Sequence, residues 1–337
     1  LNILSLFDGM SCGQIALKRA GVKIDNYFAS EIDKYTIQIT QKNYPNTIQL
    51  GDINNWREWN LPKIDLLMGG SPCQGFSNAG LGLNFDDPRS KLFFIFVDIL
   101  NYCKDKNPNS KWLLENVKMK KEWQDIISDI LGIQPILINS ALVSAQNRKR
   151  LYWTNILGIT QPKDKHIYLK DILENNSDIN LNNIRSKSKT IRIGGRKSPL
   201  NSKQEWDNIY VKTIPHGYMK ENVVEREKYP SLVGQDPSTK YLIQVGEANI
   251  KGHDIIKRIY SPDGKSLALT NMQGGHRQPK ISEDTITWRK LTSLECERLQ
   301  TVPDNYTEGV SNTQRYKMLG NGWTVDVIAH VLNFMKY

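Results

Sequence analysis

The sequence has little sulfur and no long apolar run. Its 337 residues include four cysteines, Cys12, Cys73, Cys103 and Cys296, and five histidines. The cysteines are scattered, with no C-x-x-C pair, which excludes a disulfide framework and a zinc-finger spacing. The pattern fits a reducing, cytoplasmic compartment, and no metal is expected. No stretch of about 18 consecutive apolar residues occurs, so no membrane-spanning helix is expected. The apolar opening, residues 1–7, is too short for a signal peptide and lacks a basic lead, so it reads as a first core strand. The chain starts at Leu1 and not at Met, so a residue or a short tag is expected ahead of it. Acidic residues are missing from 182 to 203, where Arg185, Lys187, Lys189, Arg192, Arg196, Lys197 and Lys203 lie. A G-x-G-x-x-G fingerprint is also missing, so a dinucleotide site has no strong support.

What is present is a basic surplus and a repeated pattern. The net charge is +10, which suggests a polyanionic partner. Residues 3–7, 26–30, 64–68, 111–114, 136–139 and 151–154 read as strands, with helices over 12–20, 33–43, 91–102 and 122–131. Ser11 and Gln14 read as a capping box, and Gly21 as the stop of the first helix. Repeated β-α units predict an α/β fold with a mostly parallel sheet flanked by helices. From about 158 to 287 helical periodicity fades and Gly, Pro, Asn and Ser become frequent. Residues 151–288 carry 21 Lys and Arg against 15 Asp and Glu. This middle part is predicted to be a smaller, irregular or β-rich inserted domain that faces nucleic acid, although a single basic run is commonly just a solvated loop. Thr292 and Glu295 form a second capping box, and Val327, Ile328, Val331, Leu332 and Met335 share a helical stripe predicted to pack back onto the first domain. The predicted division is 1–157, 158–287 and 288–337, the last completing the first.

Residues that could carry chemistry fall at successive strand ends. Phe7-Asp8-Gly9-Met10-Ser11 is a turn between a strand and a helix, where backbone can approach a ligand beside a helix N-terminus. Glu31 ends the second strand, where a carboxylate can bind ribose hydroxyls, and Asp52 follows the third. Each alone is ordinary turn chemistry; in order, along one sheet edge, they describe a nucleoside site. Cys73 follows the fourth strand in a segment of small and polar residues. A buried Cys is usually inert filler, but this segment is a poor candidate for core. Residues 78–90 read as a mobile loop. Glu115 ends the next strand, as a capping residue or a catalytic carboxylate. Gln146, Arg148 and Arg150 alternate, so an extended chain would point all three one way.

With these residues in hand, the sequence resembles the DNA (cytosine-5) methyltransferases over nearly all of the chain outside the middle domain. Phe7-Asp8-Gly9 is similar to that family's S-adenosylmethionine loop, Pro72-Cys73-Gln74 to its catalytic turn, and Glu115-Asn116-Val117 to its Glu-Asn-Val. Gln146 to Arg150 is similar to its Gln-x-Arg-x-Arg, 289–300 to the helix bracing its small domain, and Leu319-Gly320-Asn321-Gly322 to its closing cofactor motif. The turn 73–77 and Asn321 are bacterial or phage-like. Leu6-Phe7-Asp8-Gly9, Ala29-Ser30-Glu31, Val143-Ser144-Ala145 and Trp323-Thr324-Val325 are like the animal de novo branch.

The resemblance implies a Rossmann-like S-adenosylmethionine-dependent fold with an inserted target-recognition domain. It implies methyl transfer from S-adenosyl-L-methionine to C5 of a flipped-out cytosine in a specific sequence of double-stranded DNA. Cys73 is then the thiolate that adds to C6, Glu115 the group on N3 and the exocyclic amine, and Arg148 the group on the base carbonyl. Phe7, Asp8, Gly9, Met10, Ser11, Glu31, Ile32, Asp52, Ile53, Pro72, Asn321 and Trp323 are expected to bind the cofactor. Gln74, Ser77, Arg89, Arg150, Arg192, Arg196, Lys197 and Arg277 are expected on the DNA. The 273–277 turn has an equal structural reading. The chain is expected to act as a monomer, in a bacterial or phage-infected cell. Competing readings are an RNA cytosine-5 methyltransferase, a catalytically silent DNA-binding relative, and a nicotinamide-dependent oxidoreductase. The presence of Cys73, Glu115, Arg148, Glu31 and Asn321 weighs against the silent relative.

Overall fold

Short, nearly continuous apolar segments, buried on both faces, build the central sheet. The computed structural model describes residues 1–71, 88–174, 218–219, 242–248, 250, 252–272, 277–282 and 288–335. In chain order these supply β1 (Asn2–Leu6), α1 (Cys12–Arg19), β2 (Asn26–Ser30), α2 (Lys34–Asn43), β3 (Ile48–Gln49), β4 (Leu66–Gly69), α3 (Pro88–Lys106), β5 (Lys111–Val117), α4 (Lys121–Leu131) and β6 (Ile136–Asn139). Then come β7 (Gln146–Asn147) and β8 (Lys149–Thr154). The large sheet has the order β3-β2-β1-β4-β5-β8-β6. Its strands run parallel apart from β8, which is antiparallel to both β5 and β6. The chain goes outward from β1 to β2 and β3, then restarts at β4 on the other side of β1. Such a switch point opens a crevice at the carboxyl ends of the two strands.

Alternation along each strand feeds two cores, one on each face. Ile3, Leu66, Met68 and Leu113 point into one, with α1 and the C-terminal segment. Leu4, Leu6, Leu67, Trp112 and Leu114 point into the other, with Phe93, Phe96 and Ile99 of α3. Each fully buried side chain of this size contributes about 1.5–3 kcal/mol.

The remaining elements are β9 (Tyr218–Met219), β10 (Gln244–Glu247), α5 (Asp254–Lys257), β11 (Arg258–Tyr260), β12 (Ser266–Leu267), β13 (Lys280–Ser282), β14 (Trp288–Lys290), α6 (Ser293–Leu299), α7 (Asn312–Asn321) and α8 (Val325–Leu332). A second sheet has the order β10-β11-β13-β14-β9. It is the smaller β-rich region expected of the middle of the chain, and β14, from beyond that middle, adds a strand to it. β12 instead leaves this sheet and pairs in parallel with β7. Along this strap Lys265 is fully buried, with its ammonium donating to the carbonyls of Ala141, Ser144 and Ile167 at 2.7, 3.0 and 2.6 Å. Helix α8 returns onto α1, burying Val327, Ile328, Val331, Leu332 and Met335 as the stripe predicted. The Thr292–Glu295 capping box forms. Glu295, which is fully buried, also takes a two-pronged grip from Arg289, both bonds at 2.6 Å. Among the described residues no helix is long and apolar enough to cross a membrane.

One local expectation fails for an identifiable reason. Ser11 does not cap α1 with its side chain, because its backbone is left-handed (φ 64°). Gln14 instead reaches back and donates to Ser11 Oγ and to Thr47 Oγ1, at 2.9 and 2.8 Å. The common face read for Gln146, Arg148 and Arg150 holds although the ladder is broken between them: Gln146 and Arg148 both reach Leu269, and Arg148 reaches Gly322, next to the Trp323 that shares Glu115 with Arg150. The chain pairs with β12 up to Asn147 and with β5 and β6 from Lys149, so the ladder changes partner at Arg148. The backbone N–H of Arg148 goes to Asn139 Oδ1 at 3.0 Å.

Candidate active site

On the β1–β3 half of the crevice the carboxylates are tied to nearby backbone. Phe7, Gly9 and Ser11 all have positive φ, so the chain turns tightly between β1 and α1. For Phe7 and Ser11 this costs on the order of 1 kcal/mol each, since a Cβ crowds the following carbonyl. Glu31, just past β2, accepts from Gly9 N through Oε2 and from Ile32 N and Asp33 N through Oε1, each at 2.8 Å. Asp52 accepts from Asn54 N at 2.9 Å and opens the 3-10 turn Ile53–Glu58. Ile32 is 74% exposed beside Glu31, an apolar face left open at the rim.

Asp8 is the unusual member of this half. Tyr27 Oη donates to its Oδ1 at 2.7 Å, while its buried Oδ2 has no hydrogen-bond partner. Burial pushes its carboxyl up to about 6, against the pull of the Ser5, Tyr27 and Ser11 hydroxyls. Of the other residues expected on a cofactor, Met10 and Ile53 are packed in the two cores. Asn321 is exposed at the end of α7. Pro72 lies outside the described residues.

On the β4–β8 half the carboxylate is tied to distant side chains. The register pairs Glu115 with Tyr152 and Val117 with Arg150, which puts Glu115 and Arg150 diagonally on one face. The Arg150 Nε stands 3.0 Å from Glu115 Oε1. Trp323 Nε1 donates to the other oxygen, Oε2, at 3.1 Å. The next residue along β5, Asn116, donates from Nδ2 to Ser71 Oγ at 3.3 Å, two residues ahead of Cys73.

Arg148 is placed differently from the expectation. Its guanidinium is buried and donates to the carbonyls of Leu269, Gly320 and Gly322 at 2.7, 3.2 and 3.0 Å. Its side chain shares the face of Gln146 and Arg150 but is taken up by Leu269 and the 320–322 corner, while Arg150 stands at Glu115. Burial, then the Arg150 charge, push the guanidinium down to about 9, so it stays cationic at neutral pH. Gln146 is buried with it, accepting from Leu269 N at 2.7 Å and donating to Leu299 O at 3.1 Å. The contact is so close that a Cβ on Gly320 would stand 1.7 Å from Thr270 O. Gln146 and Arg148 therefore clamp the 269–271 strap, and Arg150 alone of the three faces Glu115.

Cys73, Gln74, Ser77, Arg192, Arg196 and Lys197 lie outside the described residues, as does 273–276 of the 273–277 turn. Arg89 is on the first turn of α3, with its side chain outside the described set, and Arg277 is exposed. The bond from Trp323 to Glu115 had no sequence signal, since it joins residues 208 apart. The Arg150 placement had a partial one, the alternation of 146, 148 and 150, but its meeting with Glu115 needs the β5–β8 register.

A seven-stranded, mostly parallel sheet with one reversed strand, and acidic side chains along its carboxyl edge at the switch point, defines a Rossmann-like methyltransferase class. The family model described as C-5 cytosine-specific DNA methylase matches residues 1–336, and the chain belongs to that family of DNA methyltransferases. It is 30% identical to the orphan methyltransferase M.Rho11sI of Bacillus phage rho11s over 85% of this chain and 70% of that one. It is 29% identical to the orphan methyltransferase M.SPBetaI of Bacillus phage SPbeta, over 98% and 96%. Among solved structures, the methyltransferase EhMeth of Entamoeba histolytica shares the fold, with a TM-score of 0.62 at 15% identity over 99% and 97% of the two chains.

Proposed function

We propose that this enzyme transfers a methyl group from S-adenosyl-L-methionine to C5 of a cytosine flipped out of duplex DNA, through a covalent bond between Cys73 Sγ and C6. The observation that carries the reading is the Glu115 carboxylate, gripped by Arg150 and Trp323 at the carboxyl edge of β5, beside the β4 end that leads to Cys73.

The residues of the β1–β3 half fit a cationic nucleoside cofactor. The unpartnered Asp8 Oδ2 is a buried acceptor, Glu31 and Asp52 are acidic groups at successive strand ends, and exposed Ile32 offers an apolar face for a base. Glu31, Asp52 and Ile32 would hold the adenosine, with the Phe7–Ser11 turn around the rest. When bound, the cofactor supplies an electrophilic methyl on a sulfonium sulfur.

Cytosine C5 is a weak nucleophile until C6 carries a thiolate adduct. Cys12, Cys103 and Cys296 are buried, and burial pushes the Cys12 and Cys103 thiols up to about 12 and that of Cys296 well above its ordinary value. Cys73 is therefore assigned the attack. As its sulfur adds to C6, negative charge grows on N3, and Glu115, hydrogen-bonded to N3 and the exocyclic amine, gives N3 a proton that it takes back when the C6–S bond breaks. Arg150 takes the role first expected of Arg148: its charge lies against Glu115 and faces the base carbonyl. C5 then takes the methyl, its proton leaves to a base, and the C6–S bond breaks to return the thiolate. Flipping the base costs a few kcal/mol of unstacking and unpairing. The basic inserted unit, 158–287, would offset this with phosphate contacts, Arg192, Arg196, Lys197 and Arg277 among them. The proposed unit acts as a monomer on DNA in a bacterial or phage-infected cell.

Duplex DNA of mixed sequence, incubated with tritiated cofactor and digested to nucleosides, should yield labelled 5-methylcytosine. No label in cytosine, or label in transfer RNA alone, would overturn the reading.

A further inference from the structure

Glu115 must present one edge of its carboxylate to the base, and the structure shows what sets that edge. One oxygen faces Arg150 and the other takes the indole N–H of Trp323. A carboxylate is symmetric about its last bond, so a group on each oxygen does not distinguish the two oxygens but does fix the plane in which they lie. Indole is a donor only, with no lone pair for a proton. It can orient Glu115 but cannot take or relay the proton that Glu115 handles.

The surroundings are shaped to keep this bond. Trp323 is 9% exposed, and its ring rests against Gly13 of α1 on the cofactor half. On the other half it meets Gly70, where a Cβ would stand 2.9 Å from Trp323 Nε1 and 3.1 Å from Glu115 Oε2. Residue 70 therefore has to lack a side chain for the pair to meet. The backbone beside Trp323 is pinned as well. Thr324 Oγ1 donates to Gln300 Oε1 at 2.9 Å, and Val325 N donates to Gln300 O at 2.9 Å.

We infer that Trp323 is a positioning residue for methyl transfer, acting through Glu115 by fixing the plane of its carboxylate, in a slot that Gly70 leaves open. The inference rests on the reading of Glu115 given above. A buried indole N–H that simply finds an acceptor would have no consequence for turnover; a positioning bond has one.

The test is Trp323→Phe in the full chain, which keeps a ring and removes the N–H. Loss of one hydrogen bond to a charged group predicts a fall in kcat of about tenfold to hundredfold. KM for DNA and the calorimetric Kd for the cofactor should change less than about threefold. In a Glu115→Gln background, followed with tritium, Trp323→Phe should have little further effect, since its target carboxylate is gone. Gly70→Ala leaves Trp323 and Glu115 in place but drives a methyl between them, and should lower kcat in the same way if Trp323→Phe fails to fold. An unchanged kcat in the folded variants, or the same fold-loss with and without Glu115, would overturn the inference. A wild-type enzyme that methylates no cytosine would overturn the underlying reading instead.

Discussion

The two halves of the crevice hold their acids in opposite ways. At the β1–β3 edge, Glu31 and Asp52 accept from backbone N–H groups within a few residues or in the adjoining turn. At the β4–β8 edge, Glu115 is gripped by the side chains of Arg150 and Trp323, the latter 208 residues away. The first half is turn chemistry, set once its strands form. The second half exists only when β8 has paired with β5 and the return segment has closed on the sheet. The half proposed to bind a cofactor is thus built locally, and the half proposed to handle the base is built by the whole fold.

Substitutions at the base-handling edge should show the largest effects. Cys73→Ala should abolish methyl transfer while leaving cofactor binding measurable by calorimetry. Glu115→Gln should lower kcat by about a hundredfold to ten-thousandfold, the range for a positioned acid–base group. Residual turnover close to wild type in either variant would break the assignment of this edge.

The two arginines sharpen the contrast next. Arg150→Ala should reduce turnover on the order of a hundredfold with a small change in urea midpoint. Arg148→Ala should instead cost about 3–5 kcal/mol of stability, because three buried carbonyls lose their donor. If Arg148→Ala folds as well as wild type but is inactive, the two roles have been assigned the wrong way round.

Asp8 probes the cofactor half at a smaller scale. Its folded-state carboxyl sits near 6, above the ordinary value of 3.8. Its contribution is therefore fully present below pH 3.8 and is lost as pH rises through about 6. The loss is about 3 kcal/mol. Asp8→Asn should remove this pH dependence, so its stability advantage over wild type should grow from pH 4 to pH 6 and then level off in urea titrations. Smallest of all, Ile32→Ala should weaken cofactor binding about fivefold, the effect of about 1 kcal/mol of lost apolar contact.

This contrast also explains what could be read from the sequence. The succession of strands and helices along the chain, the Phe7–Ser11 turn and the strand-end positions of Glu31 and Asp52 were legible because each depends on neighbours in the chain. So was the Thr292–Glu295 cap. The side-chain cap at Ser11 was misread because a left-handed backbone, set by the tight turn, is invisible in a Ser-x-x-Gln spacing. The common face of Gln146, Arg148 and Arg150 was legible from period two, but which arginine stands at Glu115 was not. The strand beside Arg148 changes partner to a segment some 120 residues downstream, which no local pattern could announce. Trp323 read as a cofactor residue; its link to Glu115 needed the closed fold.

The most direct test of the covalent route uses duplex DNA in which 5-fluorocytosine replaces cytosine. Fluorine cannot leave as a proton does, so the thiol adduct cannot resolve after methyl transfer. Wild-type enzyme with S-adenosyl-L-methionine should give a protein–DNA species that survives denaturation, with the DNA mapped to Cys73 and no such species from Cys73→Ala. Labelled 5-methylcytosine from ordinary DNA without any trapped species, or a trapped species on another residue, would contradict the account.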